Sequence, residues 1–206
     1  MRGEITLLGV VLGLVLGVAG TVLGEVLRLR RRPKLTLALV DGLTLTEVAP
    51  NNAAFARLDV LNAPRRDGAV GVSVKIERVR SRSGESASEL DFFQGWQLAW
   101  ANEDRGNPNV PPEARSIPAG GSRRIDLVHL NETIKGKMLV DIRPQPVPRS
   151  GANRLGAGTF TFELVVSGDN ASARRFAIDV VHDGEQWDGQ DASAAERLRL
   201  AALRAP

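Results

Sequence analysis

Few residues of this 206-residue chain have a type and a spacing that suit catalysis. The chain has no Cys, which excludes disulfides, thiolate metal sites and cysteine nucleophiles, and it has two His. A serine or threonine nucleophile would need His129 or His182 as its general base, and no serine lies in a GxSxG nucleophile elbow. His129 follows Ile125 and Leu127 on the apolar face of a predicted strand, which favours an imidazole held by a backbone partner. A carboxylate pair stays open, because the sequence does not show which acidic side chains meet in space. We predict that the chain is not an enzyme and has no catalytic residue and no cofactor.

The segment HDGEQWDGQD is the densest group of potential metal ligands. Its spacing matches neither the calcium-binding loop, which requires a Gly at the sixth position and a Glu at the twelfth, nor a zinc motif. A solvated acidic turn that leads out of the last strand is therefore the favoured interpretation, and a metal-dependent enzyme is the weaker alternative. The potential ligands are His182, Asp183, Glu185, Asp188 and Asp191.

Trp96, Leu98 and Trp100 alternate along a predicted strand, so their side chains point to the same side. The favoured interpretation is burial in the core of a β domain, where indole rings commonly pack. The alternative is an exposed platform of Trp96 and Trp100 that binds a glycan or a peptide. Nucleic acid is not an expected partner, because no basic residues are interleaved with these aromatic side chains.

The positive charge of the chain is concentrated near its amino terminus. The formal net charge is +3, with 27 Lys and Arg against 24 Asp and Glu. Residues 1–34 hold six of the basic and two of the acidic residues, so the rest of the chain carries 21 basic and 22 acidic groups. A nearly neutral domain lacks the field that steers nucleic acid. A basic cluster beside an apolar segment is typical of a membrane boundary.

The first 34 residues have the pattern of a membrane-spanning helix with a basic exit. Residues 5–24 contain no charge, and about twenty helical residues suffice to cross about 30 Å of hydrocarbon. A cleaved signal peptide is the competing interpretation, with small residues at 18–20. Basic residues directly after the apolar run argue against cleavage, and by the positive-inside rule they leave the amino terminus outside and the following domain in the cytoplasm. They also suit anionic lipid headgroups. These residues are Arg28, Arg30, Arg31, Arg32 and Lys34.

One face of this helix is formed by glycines. Gly9, Gly13 and Gly17 recur every four residues, and Gly24 lies near the same stripe. A face without side chains permits the close approach of a second helix, so self-association or pairing with another membrane protein is a hypothesis. Pro33 is expected to end the helix, because it cannot continue the hydrogen-bond ladder.

From Leu35 onward apolar residues recur at every second position, which is typical of half-buried antiparallel strands. Turn-forming Gly, Pro, Asn and Asp separate the strands, and no helix-length segment with a helical apolar period lies between them. The pattern predicts a mainly β fold, an immunoglobulin-like antiparallel β-sandwich, with an up-and-down barrel as the alternative. The predicted strands include residues 35–39, 54–60, 70–76, 96–100, 125–127, 138–142, 160–166 and 176–180.

The chain is divided into three parts by these patterns. Residues 1–34 form the membrane helix and its basic exit, residues 35–188 form the β-sandwich, and residues 189–206 form a polar tail. A short helix is predicted over residues 191–204, because Ser193 and Glu196 fit a capping box and the following leucines and alanines form a modest apolar side.

Several strand and turn segments resemble a known group of proteins. Residues 58–79, LDVLNAPRRDGAVGVSVKIERV, resemble the strand, Asn turn and strand of bacterial immunoglobulin-like modules of the CARDB kind. Residues 116–130 and 158–180, with the closing HDGEQW, resemble uncharacterised bacterial membrane-anchored proteins with the same plan. The resemblance implies a fold and a membrane anchor, and it implies no reaction.

The expected function is that of a non-enzymatic, single-pass protein of the bacterial inner membrane. Its β-sandwich would be an interaction module at the surface of the lipid bilayer, where a loop or an edge strand binds a protein partner. The alternative is a module that binds a glycan or peptide through Trp96 and Trp100.

Overall fold

The computed structural model describes residues 2–48, 51–83, 86–101, 116–143, 153–189, 194 and 197–204. One long helix precedes a set of antiparallel strands, so the prediction of a mainly β fold with an amino-terminal apolar helix is confirmed. The helix, α1, spans Arg2–Arg31, and an 18-residue window within Gly9–Arg31 has a mean hydropathy of 2.2. By length and composition this part can cross a membrane, and a signal sequence would have the same properties.

α1 ends where the sequence predicts. Its last residue is Arg31, and Pro33 follows after one bend residue, since proline has no N–H to continue the ladder. Arg28, Arg30 and Arg31 occupy the last turn, where positive charge complements the negative end of the helix dipole.

Thirteen strands and one short 3-10 helix, Asp91–Phe93, occupy the described residues after α1. The strands are β1 Leu35–Leu39, β2 Thr44–Val48, β3 Asn51–Asn62, β4 Ser73–Ser83, β5 Ser86–Glu89, β6 Gln97–Trp100, β7 Ser122–Asn131, β8 Met138–Val140, β9 Ile142–Arg143, β10 Arg154–Leu155, β11 Gly158–Gly168, β12 Ala171–His182 and β13 Leu198–Arg204.

The strands form one continuous antiparallel sheet that is nearly barrel-like. The main order is β1-β3-β7-β6-β4-β11-β12-β13, and β6 joins the two halves by pairing with both β7 and β4. The sheet curls until its ends approach each other, and the Arg174 Nη1 on β12 donates a 3.1 Å hydrogen bond to the Leu35 carbonyl oxygen on β1. Among the described residues no ladder joins β1 to β13, and a cleft of about 260 Å³ separates them near Leu39 and Leu198.

The core follows the period-two pattern of the sequence wherever the ladder is regular. Alternate residues of β11 and β12 are buried, and a β-bulge opposite Glu163 and Leu164 shifts the buried face of β4 from Ile76 to Val79. β3 is buried on both faces, including Phe55 and Arg57, which the alternation did not predict. Val70, expected on the apolar face of its strand, is 44% exposed, because the strand begins only at Ser73.

The predicted carboxy-terminal helix is wrong over residues 198–204, which form β13. This strand pairs with β12 from Ala177 to His182, and Leu198 is buried in the core. An isolated helix of this length is marginal, whereas the open edge of β12 offers hydrogen bonds to the whole segment. Ser193 and Glu196, the proposed capping box, lie outside the described residues.

Candidate functional site

The five predicted basic residues form a collar at the point where α1 meets the β strands. We call Arg28, Arg30, Arg31, Arg32 and Lys34 the basic collar; all five are exposed. Arg28 pairs with Glu25 at 2.9 Å on the surface of the helix. Three residues separate the end of α1 from the first residue of β1, and Pro33 among them is buried.

The turn after β3 holds the end of α1. The backbone N–H of Asp67 donates a 2.7 Å hydrogen bond to the Arg31 carbonyl oxygen, and the Arg66 guanidinium donates to the Arg30 carbonyl oxygen. These carbonyls belong to the last turn of the helix, which has no intrahelical donors for them. The turn reaches this position through Arg65, which has a left-handed φ of 60°. The β domain therefore caps the helix directly.

Asn62 ties the collar to the domain from inside. Its side chain is buried, and its Oδ1 accepts a hydrogen bond of 3.3 Å from the Lys34 N–H. Its Nδ2 donates to the carbonyl oxygens of Asp67 at 2.8 Å and Ile117 at 3.2 Å. One amide thus links the collar, the turn and the segment before β7. The sequence marked Asn62 as a turn residue, but no local signal showed that this turn meets the helix.

A cleft opens beside the collar, between α1 and the turn that joins β11 to β12. Its volume is about 440 Å³, and its lining includes Arg28 and Arg32 from the helix side. Asp67 and Asp169 contribute carboxylates from the domain side. Sequence reasoning missed both acidic residues, because they lie in turns 102 positions apart in the sequence.

A second polar cluster is buried between β3, β7 and the residue before β9. The Arg57 Nε lies 2.7 Å from the Asp126 Oδ1, with both side chains almost fully buried. The Arg57 guanidinium carbon also lies 5.0 Å from the centre of the Phe55 ring. The His129 Nδ1 is 2.9 Å from the Asp141 Oδ2, so the partner of this imidazole is a carboxylate and not the expected backbone group.

The contacts of His129 are to a carboxylate and to an aromatic ring. A His and carboxylate pair becomes catalytic when it activates a nucleophile within hydrogen-bond reach. No Ser or Thr hydroxyl of the described residues hydrogen-bonds to His129. Its ring lies 4.9 Å from the Phe55 ring, centre to centre.

His182 and its acidic neighbours are held by protein contacts. His182 is 1% exposed, and its Nδ1 donates a 3.0 Å hydrogen bond to the Gly156 carbonyl oxygen. Burial raises the pKa of Asp183, but hydrogen bonds from Arg197 at 2.8 Å and the Glu185 N–H at 2.9 Å outweigh it and lower the pKa overall. Within the described ranges no three His, Asp or Glu side chains are placed to hold a metal ion. Asp191 lies outside those ranges.

The two tryptophans of the possible platform have different surroundings. Trp100 is 3% exposed and packs in the core, so its ring is not available at the surface. Trp96 lies just before β6, is partly buried and stacks on Phe92 with 5.8 Å between ring centres. The platform of two exposed indoles is therefore wrong for Trp100, because the ladder of β6 with β7 carries that residue inward.

The glycine stripe of α1 is open. A Cβ added at Gly9, Gly13, Gly17 or Gly24 would meet no atom within 4 Å. The apolar side chains around the stripe are largely exposed, with Leu14 at 70%. The described part of the β domain leaves this face uncovered.

Comparison of the chain with protein-family models, curated proteins and solved structures gives no match.

Proposed function

We propose that this chain is a non-enzymatic, single-pass membrane protein whose β domain is held in a fixed orientation at the bilayer surface and binds a protein partner. The observation that carries the proposal is the hydrogen bond from the Asp67 N–H to the Arg31 carbonyl oxygen, supported by the bridge from Asn62 to Lys34. A domain that caps its own helix cannot swing freely, so its loops and strand edges face the same region of space at all times.

Membrane insertion is supported by the dimensions of α1. The 20 uncharged residues 5–24 of α1 extend over about 30 Å at about 1.5 Å per residue, which matches the hydrocarbon thickness and leaves the basic collar at the headgroups. The basic collar at the carboxyl end then favours a cytoplasmic domain, an external amino terminus and, with the bacterial resemblance, the inner membrane. Retention of α1, as opposed to its cleavage as a signal peptide, is supported by its contacts with the folded domain.

The finer fold that we propose is an immunoglobulin-like sandwich of the CARDB kind. Its support is the division of the strands into two antiparallel groups, β1-β3-β7 and β4-β11-β12-β13, whose apolar faces share one core. The missing ladder between β1 and β13 in the described part favours a sandwich over a closed barrel.

The non-enzymatic role is supported by the commitments of the two imidazoles. His129 binds Asp141 and His182 binds the Gly156 carbonyl oxygen, so neither is aimed at a Ser or Thr hydroxyl of the described residues. The uncovered glycine face of α1 makes a second copy or another membrane helix a further candidate partner.

The proposal is tested by uncoupling the domain from the helix. A flexible Gly-Ser segment inserted between Pro33 and Lys34 is compared with the native chain in vesicles, with spin labels on the domain and a relaxing agent at the bilayer surface. We expect a narrow distribution of label depths for the native protein and a broad one for the insertion variant. A broad native distribution would overturn the fixed orientation.

Sidedness and partner binding need separate measurements. A reporter fused after Pro206 should be active as a cytoplasmic fluorescent protein and inactive as a periplasmic phosphatase, and the reverse result would contradict the topology. Affinity capture from gently solubilised membranes should recover a partner with the native chain and less of it with the insertion variant. Equal recovery with both chains would show that partner binding does not depend on the orientation of the domain.

A further inference from the structure

The cleft beside the basic collar carries two opposite poles. Arg28 and Arg32 line the helix side, and Asp67 and Asp169 line the domain side, where Asn170 and Ser172 also contribute to the lining. Two guanidinium groups and two carboxylates leave the lining with no net charge. A surface that selects purely anionic groups would lack the carboxylates.

Three of these four charged side chains line the cleft without an ion-pair partner in the described part of the chain, whereas Arg28 is paired with Glu25 at 2.9 Å. Arg32, Asp67 and Asp169 have no ion-pair partner within 4.0 Å among the described residues, although opposite charges pair closely elsewhere on the same domain. Arg124 and Asp59, for example, lie 2.9 Å apart although both side chains are partly exposed. Arg32 and the two carboxylates therefore leave space between them for a ligand that carries both charges.

The turns that carry the two carboxylates are held in place by hydrogen bonds. The Asp169 N–H donates a 2.8 Å hydrogen bond to the Val70 carbonyl oxygen, and the Asn170 Nδ2 donates 2.8 Å to that of Gly68. The Asp169 carboxylate packs against Gly71, where an added Cβ would lie 2.2 Å from its Oδ2. Asp67 is fixed by its own bond to the end of α1. The acidic side of the cleft is therefore preorganised, which lowers the cost of ordering it when a ligand binds.

We propose that this cleft binds the headgroup of a zwitterionic phospholipid that carries a primary amine, of the phosphoethanolamine type. Arg28 and Arg32 receive the phosphate, as guanidinium groups do in charge-assisted pairs, and Asp67 and Asp169 accept hydrogen bonds from the ammonium. The inference rests on the proposed function, because the insertion of α1 places the cleft at the level of the headgroups. A choline headgroup has a positive charge but no N–H to donate, so the carboxylates discriminate against it.

The test uses the full-length protein in nanodiscs that contain phosphoethanolamine, phosphocholine and phosphoglycerol lipids in equal amounts with identical acyl chains. Lipids that stay bound after mild detergent extraction are quantified by mass spectrometry. We expect phosphoethanolamine lipid to be enriched about fivefold to tenfold over phosphocholine lipid, the ratio that the net contribution of one ordinary hydrogen bond provides. No enrichment, or enrichment of phosphoglycerol lipid, would overturn the proposal.

Two sets of near-isosteric variants test which side chains bind the amine and which bind the phosphate. Asp67→Asn with Asp169→Asn should abolish the preference for the amine and retain binding of the phosphate, whereas Arg32→Gln should weaken the binding of all three lipids. Asp41→Asn and Lys135→Gln change exposed charges away from the collar and should leave the selection intact. Lys135 follows β7, whose ten residues extend about 30 Å from the end nearest the collar. An unchanged lipid ratio in the double variant would rule out the carboxylate pole.

Failure of this inference is distinguishable from failure of the proposed function. If the protein resists alkaline extraction from membranes but selects no lipid, only the headgroup site is contradicted. If alkaline extraction releases the protein, both the membrane anchor and the headgroup site are contradicted.

Discussion

The N–H of Asp67 lies 2.7 Å from the carbonyl oxygen of Arg31, the last residue of α1. A helix that ends in solvent leaves its final carbonyls to water, but here a turn of the β domain supplies the donors. Helix and domain are joined by hydrogen bonds as well as by the chain between them. The contact makes the end of α1 part of the fold of the domain.

Replacing Asn62 by Ala should loosen this junction. The substitution removes the buried donor to the carbonyl oxygens of Asp67 and Ile117, so we expect a loss of about 1–3 kcal/mol in the free energy of unfolding. Urea denaturation of the full-length protein in detergent measures it. Asn131→Ala, which removes a more exposed turn contact to Thr133, is the control and should cost less than about 1 kcal/mol. Equal losses in both variants would argue against a special role for Asn62.

Loss of the acidic partner should destabilise the protein much more at the buried pair of Arg57 and Asp126 than at the more exposed pair of Asp59 and Arg124. Asp126→Ala leaves the Arg57 guanidinium buried without this carboxylate, and we expect a loss of about 3–5 kcal/mol. Asp59→Ala breaks the exposed pair with Arg124 further along the same strands and should cost less than about 1 kcal/mol. Thermal unfolding followed by circular dichroism compares the two variants.

A double replacement checks the reason for that loss. Arg57→Met with Asp126→Leu removes both charges at similar volume. This double variant should recover most of the stability, because no buried charge is left without a partner and the cost of desolvating the ion pair is absent. If the double variant were as unstable as Asp126→Ala, the charge imbalance would not be the cause.

Tryptophan emission should report mainly buried rings. Trp100 and Trp187 are 3% and 2% exposed, whereas Trp96 is only partly buried, so the emission should be blue-shifted and resistant to iodide. We expect Trp96→Phe to remove most of the fraction that iodide can quench, and Trp100→Phe to leave that fraction in place. Strong quenching that survives Trp96→Phe would show that the core rings are accessible.

The contact of Asp183 with Arg197 should stabilise the protein at neutral pH and not in acid. The pKa of Asp183 is lowered in the folded state, so its contribution is present above the pKa of the unfolded chain and is lost as pH falls through the folded value. Asp183→Asn should therefore cost up to about 1 kcal/mol at pH 7, because the pair is partly exposed. Urea unfolding of both proteins from about pH 7 to about pH 2 checks this. A constant difference between them over that range would contradict it.

Features that depend on local patterns could be predicted from the sequence. The length of the apolar helix, its end before Pro33 and the alternation in β11 and β12 each depend on residues close together in the chain. The prediction was wrong where an edge competed with local preference. Residues 198–204 have a weak helical pattern, but the open edge of β12 satisfies their backbone as a strand.

The sequence by itself determined an apolar helix with a glycine stripe and a basic end, followed by antiparallel strands. Both features depend on the spacing of apolar and charged residues that are close together in the chain. Only the tertiary structure decided which polar residues meet: Asp67 with the end of α1, Arg57 with Asp126, and Asp169 across the cleft from Arg32. The residues of these pairs lie 36, 69 and 137 positions apart in the chain, and their positions in space depend on strand register and bulges. A shift of one residue turns a side chain to the other face, so no local pattern could have placed them together.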